Sequence, residues 1–207
     1  MSIKPILFNT EMVRAILDQR EDASRRIVKG FIPDDAVWGY TAFTPKGYIS
    51  CRGTFADGYG EKFFKSPCEP GDILYVRETW CMLPVNEAGH IRGHSVYYYK
   101  ADGDLRPEGW RGKWKPSIHM PKEAARIWLK VTDVRVGLLQ EITIDGIRSE
   151  GLSSMAVHAG DMEIALKEWE LLWNSTIKKS DLDRYGWYAS PWVWVIEFER
   201  CEKPEDT

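Results

Sequence analysis

Gly71-Asp72-Ile73-Leu74-Tyr75-Val76-Arg77-Glu78-Thr79-Trp80 is the stretch on which the fold turns. Pro70-Gly71-Asp72 is a turn signal, and the four apolar residues from Ile73 to Val76 read as a short strand buried on both faces. The run then ends abruptly in a cation, an anion, a hydroxyl and an indole. A core strand gains nothing from an adjacent Arg77 and Glu78, so the pair is expected either to form an exposed ion pair or to line the mouth of a cavity.

The remaining 197 of the 207 residues constrain what such a strand can belong to. The length suits one domain with a real core, expected over residues 1–201, with 202–207 as a polar tail. Ten tryptophans supply large rigid rings that serve cores and base-stacking surfaces alike. A formal net charge of -3 argues against coating duplex DNA by bulk electrostatics, so any nucleic-acid contact has to be local. Cys51, Cys68, Cys81 and Cys201 form no C-x-x-C pair, which points to free thiols and to neither a zinc site nor a redox motif. No metal and no cofactor are expected. With no leader-like N-terminus and no membrane-length apolar run, the expectation is a cytoplasmic protein with no membrane partner.

Upstream of the stretch, Ile6 to Phe8 read as a strand and Asn9-Thr10-Glu11 as a helix cap, with Val13, Ile16 and Leu17 at helical spacing behind it. Arg20-Glu21-Asp22-Ala23-Ser24-Arg25-Arg26 reads as a polar loop. It is either a solvated connection or an anion or nucleotide site, since guanidinium forks suit phosphate and Ser24 could bond or attack a ligand. Residues 31–67, rich in Gly, Pro and aromatics, read as an insertion, with a strand near Tyr48 and a flexible Asp57-Gly58-Tyr59-Gly60-Glu61.

Downstream, Val96 to Lys100 is a strand, and Trp110-Arg111-Gly112-Lys113-Trp114-Lys115-Pro116-Ser117-Ile118-His119-Met120-Pro121 interleaves rings with cations, as a base-stacking, phosphate-meeting segment does. The plainer reading plugs Trp114 and Met120 into the core and solvates the basic residues. His119 has no second ligand at metal spacing and reads as structural. Ile127 to Val136 is a strand carrying Ile127, Leu129 and Val131 on one face. Thr143 to Glu150 is a short helix stopped by a left-handed Gly151, which sets the Glu150 carboxylate against the negative end of the helix dipole. Asp161 caps a helix whose Met162, Ala165, Leu166, Trp169, Leu172 and Trp173 stripe is core packing. Trp192 to Arg200 is a closing strand. No Gly-rich phosphate loop is present.

The Arg/Ser loop, Arg77-Glu78-Thr79-Trp80, Trp114 to Pro121, Ser149-Glu150-Gly151 and the Pro191 to Phe198 strand together resemble the ASCH domain family, and the longer phage and prophage members in particular. That resemblance implies an α+β, PUA-like mixed β-barrel with flanking helices. The barrel, closed or nearly so, would use the strands near Ile6, Tyr48, Ile73, Val96, Ile127 and Val193. The helices at Glu11 and Asp161 would pack outside it.

The resemblance also implies a cleft for RNA or a modified nucleotide, in which Arg25, Arg26, Arg77, Lys113 and Lys115 meet phosphate, Trp80 or Trp114 stacks a base and Glu78 reads an exocyclic amine. Small members of the family remove the acetyl group from acetylcytidine, and ribonuclease activity is attributed to others. In the amidohydrolases a lysine and a threonine of the helix-to-loop run act with a later glutamate. Here Ser24 keeps the hydroxyl, Arg26 the guanidinium and Glu150 the carboxylate, but the lysine position is Glu21, and Lys115 is the candidate replacement. Glu21 can accept a proton yet supplies no positive field for an oxyanion. A different reading is a phage accessory protein that docks a host protein through the exposed aromatics of 31–67.

Overall fold

The computed structural model describes residues 1–83, 96–106 and 113–205. In chain order it runs β1 (Ile3–Leu7), α1 (Thr10–Leu17), β2 (Ala23–Ile27), β3 (Val37–Gly39), β4 (Tyr48–Phe55), β5 (Gly58–Lys65), β6 (Ile73–Arg77), β7 (Trp80–Leu83), β8 (Val96–Tyr99), β9 (Trp128–Leu138), α2 (Ile144–Ser149), α3 (Met155–Ala159), α4 (Met162–Thr176), α5 (Leu182–Tyr185) and β10 (Trp192–Cys201). The fold is mixed α+β. Trp110, Arg111 and Gly112 of the aromatic-basic segment lie outside the described residues.

β6 is an inner strand, as its apolar run requires. It pairs in parallel with β1 and antiparallel with β9 in a five-stranded sheet of order β1-β6-β9-β10-β2. Asp72, just before it, is buried and ties down the chain's first residues: its carboxylate accepts from the Ser2 amide at 2.7 Å and from Lys4 Nζ at 2.8 Å. Burial alone would raise the Asp72 pKa, but these bonds hold it far below the ordinary value.

β9 and β10 form the spine of the sheet, with a register shift between Glu197 and Phe198 that leaves Thr132 of β9 without an opposite residue. One extra residue lets Val131 and Val134, three apart, both pack on the first core. β10 separates two cores. Trp194, Ile196 and Phe198 face Ile6, Val13, Ile16 and Leu129, whereas Val193 and Val195 face the helical layer of Ile147, Val157, Ala165, Trp169 and Trp173. A third cluster gathers Ile73, Trp80, Met120 and Trp128.

The expected helix boundaries hold. Asn9 Oδ1 accepts the Met12 amide at 2.9 Å at the start of α1, Asp161 Oδ1 accepts the Ile164 amide at 3.2 Å at the start of α4, and Gly151 follows α2 with φ +81°.

Three expectations are corrected. No barrel closes among the described residues, because β1 and β2 are the two edges of an open sheet. The outer edge of β2 is already occupied: the Asp22 amide donates to Ser149 O at 2.8 Å and the Arg25 amide to Glu150 Oε2 at 3.3 Å. What spans the gap to β1 is a side chain, Arg26 Nη2 on Leu7 O at 2.9 Å. Second, the segment read as a polar loop is in part a strand, since Ala23–Ile27 pairs with β10.

Third, the stretch read as flexible at Asp57–Glu61 turns at residues 56–57 and enters β5, the outer strand of a separate β3-β4-β5 sheet. That sheet packs on the main one through Trp38, whose ring lies 5.6 Å from Trp192 and 6.5 Å from Trp194. The strands near Tyr48 and Val96 thus belong to neither edge of the five-stranded sheet; β8 pairs with β7.

Candidate functional site

β2 carries chemistry on both of its faces because alternate side chains leave opposite sides of a strand. Arg25 and Ile27 lie opposite Val195 and Val193 on the helical side, and Ser24 and Arg26 lie opposite Ile196 and Trp194 on the other. Arg25 is buried and forms an ion pair through Nη1 with Glu150, itself buried. Burial pushes the Glu150 carboxyl above the ordinary range, and Arg25 pulls against that shift. Gly146 packs close to the arginine, since a Cβ there would lie 3.3 Å from Arg25 Nη2 and 3.1 Å from Ile142 Cγ1.

Glu21 and Glu150 face each other across an isolated antiparallel bridge. Glu21 is 5% exposed, and neither of its carboxyl oxygens has a hydrogen-bond partner. Burial first, and then the Glu150 charge, push it up to about 9, so at neutral pH it is a protonated, uncharged acid.

Ser24 is fully buried and its Oγ is also without a hydrogen-bond partner. It shares no hydrogen bond with Glu150, whose carboxylate is held by Arg25 instead. Lys115 stands elsewhere. Its backbone pairs with Trp80, its ammonium lies 4.9 Å from the Trp80 ring centroid, and it lines neither cavity next to β2.

Two adjoining cavities meet at Arg26. A small chamber of about 70 Å³ is walled by Arg25, Arg26, Glu150, Trp169, Leu172 and Trp173. A groove of about 390 Å³ runs past Phe8, Thr10, Thr79, Pro116 and Ser117, and the two share Asn9, Met12, Arg26 and Thr176. Arg26 is the sole charged side chain lining that groove among the described residues. Its guanidinium donates to the Arg25 and Leu7 carbonyls, at 3.2 and 2.9 Å, and lies 5.1 Å from the Phe8 ring centroid. No carboxylate pairs with it among the described residues, and burial lowers its pKa against the pull of Glu150 and Glu21. A larger cavity of about 500 Å³ lies beyond Arg25, but its cations are already matched, Arg25 by Glu150 and Arg135 by Asp133 and Glu197, and its remaining charges, Glu141 and Asp145, are carboxylates.

The other residues singled out in the sequence are placed apart from this pair of cavities. Glu78 neither faces solvent nor lines a mouth: it is 1% exposed and grips Arg126 through both oxygens, at 2.9 and 3.1 Å. Arg126 also bonds Asp102 at 2.7 Å and stacks 4.0 Å from the Tyr99 ring centroid. Arg77 Nε donates to Met120 O at 2.6 Å. Trp80 is buried beside Trp128, Trp114 lies under Arg106 at 4.6 Å, and Lys113 is exposed.

Sequence reasoning missed Asn9, Thr79, Thr176 and Trp169 as cavity-lining groups. Thr79 lies next to the charged Arg77-Glu78 pair and carries no pattern of its own. Trp169 was absorbed into a helical stripe, yet its indole Nε1 is buried without a partner beside the chamber.

No family model matches the sequence, and no curated protein matches it. Among solved structures, the crystal structure of an ASCH domain from Lactobacillus crispatus JV V101 is similar to this chain, with a TM-score of 0.37 and 11% identity over 96% of this chain and 79% of that one. A likeness that weak carries no inference about this chain. No helix among the described residues is long and apolar enough to cross a membrane, and no group of three or more metal-ligating side chains is assembled among them.

Proposed function

We propose that the chain is an ASCH-type, PUA-like protein, with 31–67 as an inserted segment, and that the groove at Arg26 binds RNA or a modified nucleotide. The motif resemblance in the sequence supports the family. The observation that supports binding is the setting of Arg26: a half-buried guanidinium with no carboxylate partner among the described residues, at the join of a hydroxyl-lined groove and a chamber walled by two indoles. A cation in that state gains from an incoming phosphate without breaking an ion pair first, and the adjacent rings offer an apolar wall to a base. Hydrolysis is not part of this reading, because the Ser24 hydroxyl has no hydrogen-bond partner to activate it and Glu150 is committed to Arg25.

A salt titration of binding to short fluorescent RNA oligonucleotides tests it. Affinity should fall with rising salt, and Arg26→Gln should weaken binding at least tenfold and flatten the log-log slope by about one phosphate contact, near 0.7 for a single strand. Binding that ignores both ionic strength and the Arg26 substitution would sink the proposal.

A further inference from the structure

The β3-β4-β5 sheet presents an unpaired edge that the groove at Arg26 does not use. Which groups lie on that edge follows from the hairpin. Phe55 and Gly58 close a two-residue turn, and at the far end the Ser66 amide donates to Gly47 O at 2.8 Å. Even-numbered residues of β5 therefore point their N–H and C=O at β4, and Tyr59, Glu61, Phe63 and Lys65 point theirs outward. Among the described residues none of those outward backbone groups has a hydrogen-bond partner. The side chains of the same four residues share the face turned from the core, whereas Phe64 of the opposite face packs into it. Tyr59 is 73% exposed, and Lys65 has no ion-pair partner among the described residues.

We infer that β5 is a self-pairing edge, which joins β5 of a second copy of this chain antiparallel across a twofold axis at Phe63. Two antiparallel strands can pair only outward residue on outward residue, so few registers exist. Centring on Glu61 sets that carboxylate against its own copy, and centring on Lys62 sets two ammonium groups together; like charges directly opposed are destabilising. Centring on Phe63 places Glu61 opposite Lys65 of the partner subunit, twice by symmetry, with the two Phe63 rings meeting at the axis. Like charges directly opposed across an edge keep copies apart. This one carries both signs in the order that an antiparallel twofold matches.

Sedimentation and light scattering over a concentration and salt series test the inference. The wild type should dimerise and dissociate on dilution, and Glu61→Lys, which opposes lysine to lysine, should weaken dimerisation at least tenfold. The double variant Glu61→Lys/Lys65→Glu restores the match with its signs exchanged and should recover the dimer, which separates loss of pairing from loss of the Glu61 hydrogen bond to Ser50. In a Cys201→Ser background, Phe63→Cys should cross-link on mild oxidation, because a hydrogen-bonded antiparallel pair holds its Cα atoms about 5.5 Å apart, within disulfide reach. A wild type that stays monomeric at all concentrations overturns the inference, whether or not another protein binds this face. A dimer indifferent to Glu61→Lys, or a double variant that fails to recover while its circular dichroism melt matches the wild type, overturns it as well.

Discussion

Glu21 shows how one residue can be chemically inverted by where it sits. Its carboxyl is unpartnered, enclosed and held up to about 9, against an ordinary 4.5 in the unfolded chain. Below about pH 4.5 both states are protonated and the residue is neutral toward folding. As pH rises from there toward 9, the unfolded chain releases the proton and the folded chain keeps it, so stability is lost progressively across that window. At pH 7 the cost is on the order of 3 kcal/mol. Glu21→Gln keeps the shape without the proton equilibrium. The variant should match the wild type in denaturant unfolding near pH 4 and exceed it by up to about 3 kcal/mol at pH 7; a difference that does not grow with pH would show that Glu21 is ionised in the fold. Removing Arg25 or Glu150 singly should do the opposite at neutral pH, since each leaves the other buried and alone.

At the scale of elements, the junction of α1, β2 and α2 rests on a glycine. At Gly151, φ is +81° and a Cβ would stand 2.5 Å from Ala15 Cβ and 3.3 Å from Glu21 Oε2. Gly151→Ala should cost roughly 1–3 kcal/mol, read as a fall in Tm of roughly 2–12 °C. A Tm within a degree of the wild type would mean that the bridge between Glu21 and Glu150 is soft enough to yield.

This glycine was legible in the sequence, as were the caps at Asn9 and Asp161 and the inner strand at Ile73, because each depends on local chemistry. β2 was not legible. Its Ala-Ser-Arg-Arg-Ile run has the charge density of a loop, and only two tertiary facts make it a strand: β10 lies beside it, and Glu150 neutralises Arg25. The same holds for Glu78, whose partner Arg126 lies 48 residues away. Of the candidate site, Arg25, Arg26 and Glu150 could be named from motif spacing. Asn9, Thr79 and Thr176 could not, because threonines and asparagines carry no pattern until the fold converges them.

Across the whole molecule, the open sheet has one further consequence. A guanidinium, that of Arg26, links its two edges, and under the proposed function that same group greets the ligand. An incoming phosphate would compete with the Leu7 carbonyl for Arg26, so occupancy of the groove would be traded against the fastening of the chain's first strand. The N-terminal segment thereby becomes a built-in gauge of the bound state. Hydrogen–deuterium exchange over Ile6 to Phe8 should rise when a short RNA saturates the groove, and the Arg26→Gln protein should show that faster exchange before any RNA is added. Exchange in this segment that stays constant through saturation would mean that Arg26 reaches its ligand without letting go of β1.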